Sequence, residues 1–183
     1  MSAGSLRHAE LGEGPALVHL AAEAALGPAH ALLGRHLRVV VLDTRQPGVT
    51  PASILAALAA LGIERFSLLG SAAAARTALE VARAAPERVL DVVLESPTAA
   101  AAEADLAAVS APTLVLCGTL DDDAPAAARR CAARIPNAHL TFVYAAGPAI
   151  AADRPAAFAD VVADFLERHE AFVISRATTV IHP

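Results

Sequence analysis

The chain has no tryptophan and no lysine, one tyrosine, one methionine and two cysteines among its 183 residues. Two cysteines, Cys117 and Cys131, make neither a disulfide framework nor a metal-ligand spacing. Aromatic residues are 3% of the chain, whereas 48 residues are alanine, so the 56% hydrophobic fraction must build its core from small side chains. All 14 basic residues are arginine, they are scattered, and the net charge is −5, which argues against a nucleic-acid footprint. The missing lysine and abundant alanine point to a GC-rich coding source more than to a function. Met1 to Gly14 lacks the apolar stretch of a secretory signal, and no run approaches about 18 apolar residues, so no membrane segment is expected. The expectation is a cytoplasmic chain of one-domain size, long enough to bury a real core.

Strand-like and helix-like runs alternate along this length. Strands are expected near 6–11, 16–21, 37–43, 65–70, 89–95, 113–118 and 139–144, and helices near 27–36, 51–61, 72–85, 124–134 and 155–169. Ala99 to Ala104 reads as a short helix. Thr50-Pro51 marks a helix start, because threonine caps and proline suits the first helical turn, and Pro155 plays the same part later. Val39-Val40-Val41-Leu42 and Leu114-Val115-Leu116 are continuous rather than alternating, as strands covered on both faces should be. The pattern implies a three-layer α/β/α sandwich on a mostly parallel sheet of about seven strands.

Five motifs give this architecture a more specific shape. Phe66 to Gly70 turns through Ser71-Ala72-Ala73-Ala74 into a helix, Pro15 to Ala22 is a strand ending in Ala21-Ala22, and Leu37 to Asp43 ends in Asp43-Thr44-Arg45-Gln46-Pro47-Gly48. Gly118-Thr119-Leu120-Asp121 closes a sixth strand before Pro125, and Ala145-Ala146-Gly147-Pro148 precedes Asp153-Arg154-Pro155. In this order they resemble the α/β-hydrolase family over roughly residues 6–168. The resemblance makes the first turn a nucleophile elbow of the G-x-S-x-G kind. It puts the nucleophile at Ala72, the second glycine at Ala74, the triad acid at Asp121 and the catalytic histidine at Pro148. Its oxyanion loop, normally His-Gly, falls on Ala21-Ala22, and ligand contact would fall to Ala21, Ala22 and Ala73. Family members commonly carry a lid after the strand that ends here at Pro97. Only residues 98–112 precede the next strand, so any cleft above Ala72 should be open. The expected organisation is one capless domain over 1–170 and an apolar tail over 171–183.

Alanine has no oxygen to attack with, and proline cannot take a proton. The triad positions Ala72, Asp121 and Pro148 are therefore degenerate. Asp121 to Asp123 read as a cap for the helix beginning near Ala124; a hard cation would need oxygen ligands that the loop spacing does not supply. Ser71 and Cys117 are the alternative nucleophiles. Ser71 should point away from the nucleophile's direction and needs a base within hydrogen-bond reach. Cys117 reads more simply as a small buried hydrophobe. Of the seven histidines, His19 and His139 fall in strands, and His8, His30, His36, His169 and His182 in helix, loop or terminal surface positions. Arg45 and Arg76 could hold an anion at the sheet's carboxyl edge or simply be solvated.

The tail carries Phe172-Val173-Ile174 and Thr178-Thr179-Val180-Ile181, β-branched runs that should dock on the chain itself or on another subunit of a homo- or hetero-oligomer. The reading is a non-catalytic α/β-hydrolase-like binding or scaffolding subunit, without cofactor or metal. The alternatives are a small esterase or thioesterase with relocated catalytic residues, or a binder of small acyl or aromatic ligands.

Overall fold

A computed structural model describes residues 6–171. Seven strands form one sheet: β1 (His8–Leu11), β2 (Ala16–Ala21), β3 (Arg38–Asp43), β4 (Phe66–Ser71), β5 (Val89–Glu95), β6 (Thr113–Gly118) and β7 (Ala138–Val143). Their order is β1-β3-β2-β4-β5-β6-β7, with β1 antiparallel to β3 and every other pairing parallel. The helices are α1 (Pro28–Leu33), α2 (Pro51–Ala60), α3 (Ala74–Ala84), α4 (Ala99–Ala102), α5 (Ala124–Arg134), α6 (Ile150–Asp153) and α7 (Pro155–Arg168). Single 3-10 turns cover Leu106–Ala108 and His169–Ala171. The three-layer expectation holds; the expected elements lie within two residues of their expected ends except α1, which stops at Leu33 and not at 36, and the short α6 was not expected. The tail residues 172–183 lie outside the described residues, so the expectations placed on them stay expectations.

The continuous apolar runs divide by parity. Val18, Leu20, Val40, Leu68, Leu94 and Val115 join one core with Ile54, Leu58, Leu79 and Cys131 from α2, α3 and α5. Leu17, Val39, Val41, Leu69, Val93 and Leu116 join the other with Leu33, Ile150, Phe158, Val162 and Phe165 from α1, α6 and α7. A strand buried on both faces has no polar face to spare, which is why the sequence does not alternate. The same parity places every polar residue on a face. Residues 19, 67, 71, 91 and 95 share the parity of Leu17, Leu69 and Val93, and belong to the side covered by α1, α6 and α7.

The chain runs from β2 to β3 on one side and then to β4 on the other, a reversal that opens a crevice at the carboxyl ends of β2 and β4. Residues 71 and 72 stand beside that crevice.

Candidate functional site at the carboxyl edge

The turn from β4 into α3 is built as an elbow. A Cβ on Gly70 would sit 2.7 Å from the Ala78 Cβ and 2.8 Å from the Ala75 Cα, so glycine here lets α3 close onto the strand. Ala72 follows at φ 51°, and its N–H donates to the Glu95 carbonyl at 2.9 Å. A non-glycine residue in this left-handed region costs about 1–2 kcal/mol. Ala72 and Ala73 are exposed at the tip. The strained backbone of an elbow is present, and its apex carries a methyl group.

The histidine position is different. Gly118 ends β6 so tightly under the loop after β7 that a Cβ would overlap the carbonyl oxygens of Ala146 and Gly147. That loop is tied by the Gly147 N–H to Asp153 Oδ2 at 2.8 Å and by Arg154 to the Tyr144 carbonyl at 2.7 Å, and it holds Pro148 out in solvent. Asp121 is buried and uses Oδ1 to accept the N–H groups of Asp123 and Ala124, at 3.1 and 3.0 Å, where α5 starts. This is capping chemistry. Among the described residues its Oδ2 has no hydrogen-bond partner, and neither has the buried Oγ of Ser96.

Ser71 sits in a hydrogen-bonded chain. Its Oγ lies 2.7 Å from His19 Nε2 and 2.5 Å from Glu95 Oε2. His19 Nδ1 lies 2.8 Å from His30 Nε2, the Gly27 N–H donates to His30 Nδ1 at 2.9 Å, and the Ala151 N–H donates to Glu95 Oε1 at 2.8 Å. The proton positions follow from the first donor. A backbone N–H can only donate, so His30 Nδ1 offers its lone pair and the ring's proton is on Nε2. That proton is donated to His19 Nδ1, which leaves the His19 proton on Nε2, facing Ser71. Ser71 accepts it and donates its own proton to Glu95. Every link points the same way, from the start of α1 to the carboxylate beside α6.

Burial explains the electrostatics. Desolvation, with the neighbouring His30 second, pushes His19 down to about 3, and desolvation lowers His30 as well. Both rings are therefore neutral at pH 7. Glu95 is raised by desolvation, against the hydrogen bonds from Ser71 and from the Ala151 and Ile150 N–H groups.

The structure thus places the sequence candidates in separate environments. His30, read as a surface histidine, is buried: as the third residue of α1 it reaches back to the Gly27 N–H and inward to His19. Glu95 was missed, although a carboxylate at the end of Val-Leu-Asp-Val-Val-Leu-Glu is the kind of signal that marks a partnered buried charge. Cys117 faces no cleft. It is fully buried, its Sγ is 3.7 Å from the Gly118 carbonyl, and desolvation pushes the thiol up to about 11. Arg45 and Arg76 face Glu23 at 3.8 Å and Glu80 at 2.9 Å. Ala21 accepts both the N–H and the Oγ1–H of Thr44 through its carbonyl, at 2.8 Å each, and Ala22 is exposed beside it. No group of three or more potential metal ligands occurs among the described residues.

Solved structures share this fold. An α/β-hydrolase enzyme from a lagoon-sediment metagenome of Mar Chica, Morocco, superposes with TM-score 0.79 at 18% identity, covering 90% of this chain and 96% of that one. The enol-lactonase of Burkholderia xenovorans gives 0.76 at 20% identity over 88% of this chain and 96% of its own. The chain has the α/β-hydrolase fold. Naproxen esterase of Bacillus subtilis gives 0.72 at 16% identity, covering 87% of this chain and 86% of that one. No protein-family model and no curated protein matches the sequence. At such identities the α/β-hydrolase likeness carries the fold and leaves the chemistry to the residues present.

Proposed function

We propose that this chain is a non-catalytic α/β-hydrolase-like protein acting as a binding or scaffolding subunit. The observation that carries the reading is Ala72 at φ 51° on the tip of an intact elbow. The backbone that would present a nucleophile is kept at its strain cost, and the nucleophile is not there. The nearest hydroxyl, Ser71, both accepts and donates within a closed chain. Loss of a triad nucleophile removes nearly all triad catalysis.

One observation favours a second reading, a small esterase or thioesterase that uses Ser71. Its Oγ has an imidazole and a carboxylate within reach, the requirement for an activated hydroxyl. The proton order speaks against it. His19 presents an N–H to Ser71 where a base would present a lone pair, and its lowered pKa makes it a weak base. Glu95 is the remaining base and already shares its other oxygen with Ala151.

The experiment is reaction with a fluorophosphonate serine probe, alongside hydrolysis of p-nitrophenyl esters. The expected result is no labelling and no turnover above buffer. Labelling that disappears in Ser71→Ala would replace the first reading by the second.

A further inference from the structure

The opposite end of the same sheet face carries a second cluster, and it opens on a groove. Asp91 on β5 is fully buried, and its Oδ2 accepts the Ser67 hydroxyl from β4 at 3.1 Å. His169, just after α7, places Nδ1 2.9 Å from both Asp91 oxygens. Its side chain is 51% exposed, and its backbone is held at φ 50° and ψ −123°, a conformation that favours glycine. A carboxylate only accepts, so Nδ1 carries the proton, and in that neutral tautomer the ring's lone pair is on Nε2. Ser67 donates to Asp91 and not to the imidazole, so the cluster holds no activated nucleophile. It is a fixed hydrogen-bond acceptor backed by a buried acid.

His169 lines a groove of about 790 Å³ at the amino ends of the strands, a volume within the usual range of ligand sites. Leu33, Leu37, Leu90 and Leu166 form its apolar walls. Its charged rim decides the sign of the ligand. Asp160 and Glu167 lie on α7 seven residues apart, with Ala163 between them on the same stripe, and across from them stands Arg35 beside His36. Two carboxylates face one guanidinium, and the imidazole between the walls offers a lone pair. An anion meets the wrong charge here, and a neutral hydrocarbon leaves the acceptor unused.

We propose that this groove binds a small apolar primary amine as its ammonium ion. The hydrocarbon body lies along the leucine walls, and the ammonium donates to His169 Nε2 within the field of Asp160 and Glu167. The inference stands apart from the reading of the elbow, since it uses no residue of the carboxyl edge.

Isothermal titration of the full chain with n-octylammonium, octanoate and 1-octanol at pH 8 tests it. The expected result is saturable one-to-one binding of octylammonium, about tenfold or more tighter than either analogue. His169→Asn keeps a donor for Asp91 but is too short to reach the groove, and Glu167→Gln removes a rim charge; each should weaken octylammonium by roughly 3–10-fold. Ala163→Phe fills the groove from an exposed helix position and should abolish binding. Absence of saturable binding overturns the proposal. So does octanoate or octanol binding as tightly, or an affinity that survives Ala163→Phe.

Discussion

The sheet face under α1, α6 and α7 carries two serine–carboxylate pairs on the same two strands, and they end differently. Ser67–Asp91 and Ser71–Glu95 cross from β4 to β5 four residues apart, separated by the packed pair Leu69 and Val93. Each acquires a histidine, His169 at the amino end and His19 at the carboxyl end. At the carboxyl edge the histidine is buried, a second histidine and a helix-start N–H lie behind it, and every donor finds an acceptor within the protein. At the amino edge the histidine is half exposed and lines a groove. A closed network braces, because no side-chain proton is left to offer. An open one can recognise something. The fold's customary site thus holds the closed network, and the opposite edge holds the open one.

Removing the carboxylates is the harshest way to break this comparison. Glu95→Ala orphans three donors, the Ser71 hydroxyl and the Ala151 and Ile150 N–H groups, in a region with little water. At about 1–3 kcal/mol per unsatisfied buried group, partly offset by relief of the desolvation that raises Glu95, the cost should be about 2–4 kcal/mol. Asp91→Ala also removes a buried acid but orphans only Ser67, since His169 can turn to water; about 1–2 kcal/mol is expected. Urea unfolding of both variants checks the order. An Asp91→Ala cost equal to or above that of Glu95→Ala would show that burial, not closure of the network, sets the energetics.

Acid sharpens the same contrast more gently. His19 in the folded chain titrates near 3, against about 6.5 when unfolded. Between these values the unfolded chain binds a proton that the folded chain refuses, so stability is complete above pH 6.5 and falls as pH falls toward 3. The limiting slope from this one site is about 1.4 kcal/mol per pH unit. Glu95 and Asp91 have the opposite sign. Raised by desolvation, they keep their protons to higher pH when folded, and so give back some stability on acidification. Unfolding free energies at pH 4 to 6.5 should therefore fall more steeply for the parent than for His19→Gln, in which the acid terms are shared and the histidine term is gone. Parallel pH profiles would mean that His19 is protonated in the folded chain.

Much of this was readable in the sequence, and the gaps have a physical pattern. The elbow could be placed because Gly70 and the small residues Ala74, Ala75 and Ala78 answer a steric demand of strand against helix, which composition records. Asp121 as a cap could be read because capping is local. His30, Glu95 and the two-ended pairing could not be read locally, since each bond joins residues from 11 to 78 positions apart. Parity held a usable hint. Serines at 67 and 71 and acids at 91 and 95 repeat at the same even spacing in two strands that are otherwise apolar. Such residues face one side and must find partners there. His169 escaped because its value depends on a buried acid on another element.

The direct measurement is the tautomer of His19, read from the 15N shifts of the imidazole nitrogens at pH 7. The account predicts neutral rings at both His19 and His30, each with the proton on Nε2, and a His19 Nε2–H signal that shifts in Ser71→Ala. A His19 ring protonated on Nδ1, with a bare Nε2 toward Ser71, would contradict it. Ser71 would then face a base, and the carboxyl edge would be equipped for catalysis.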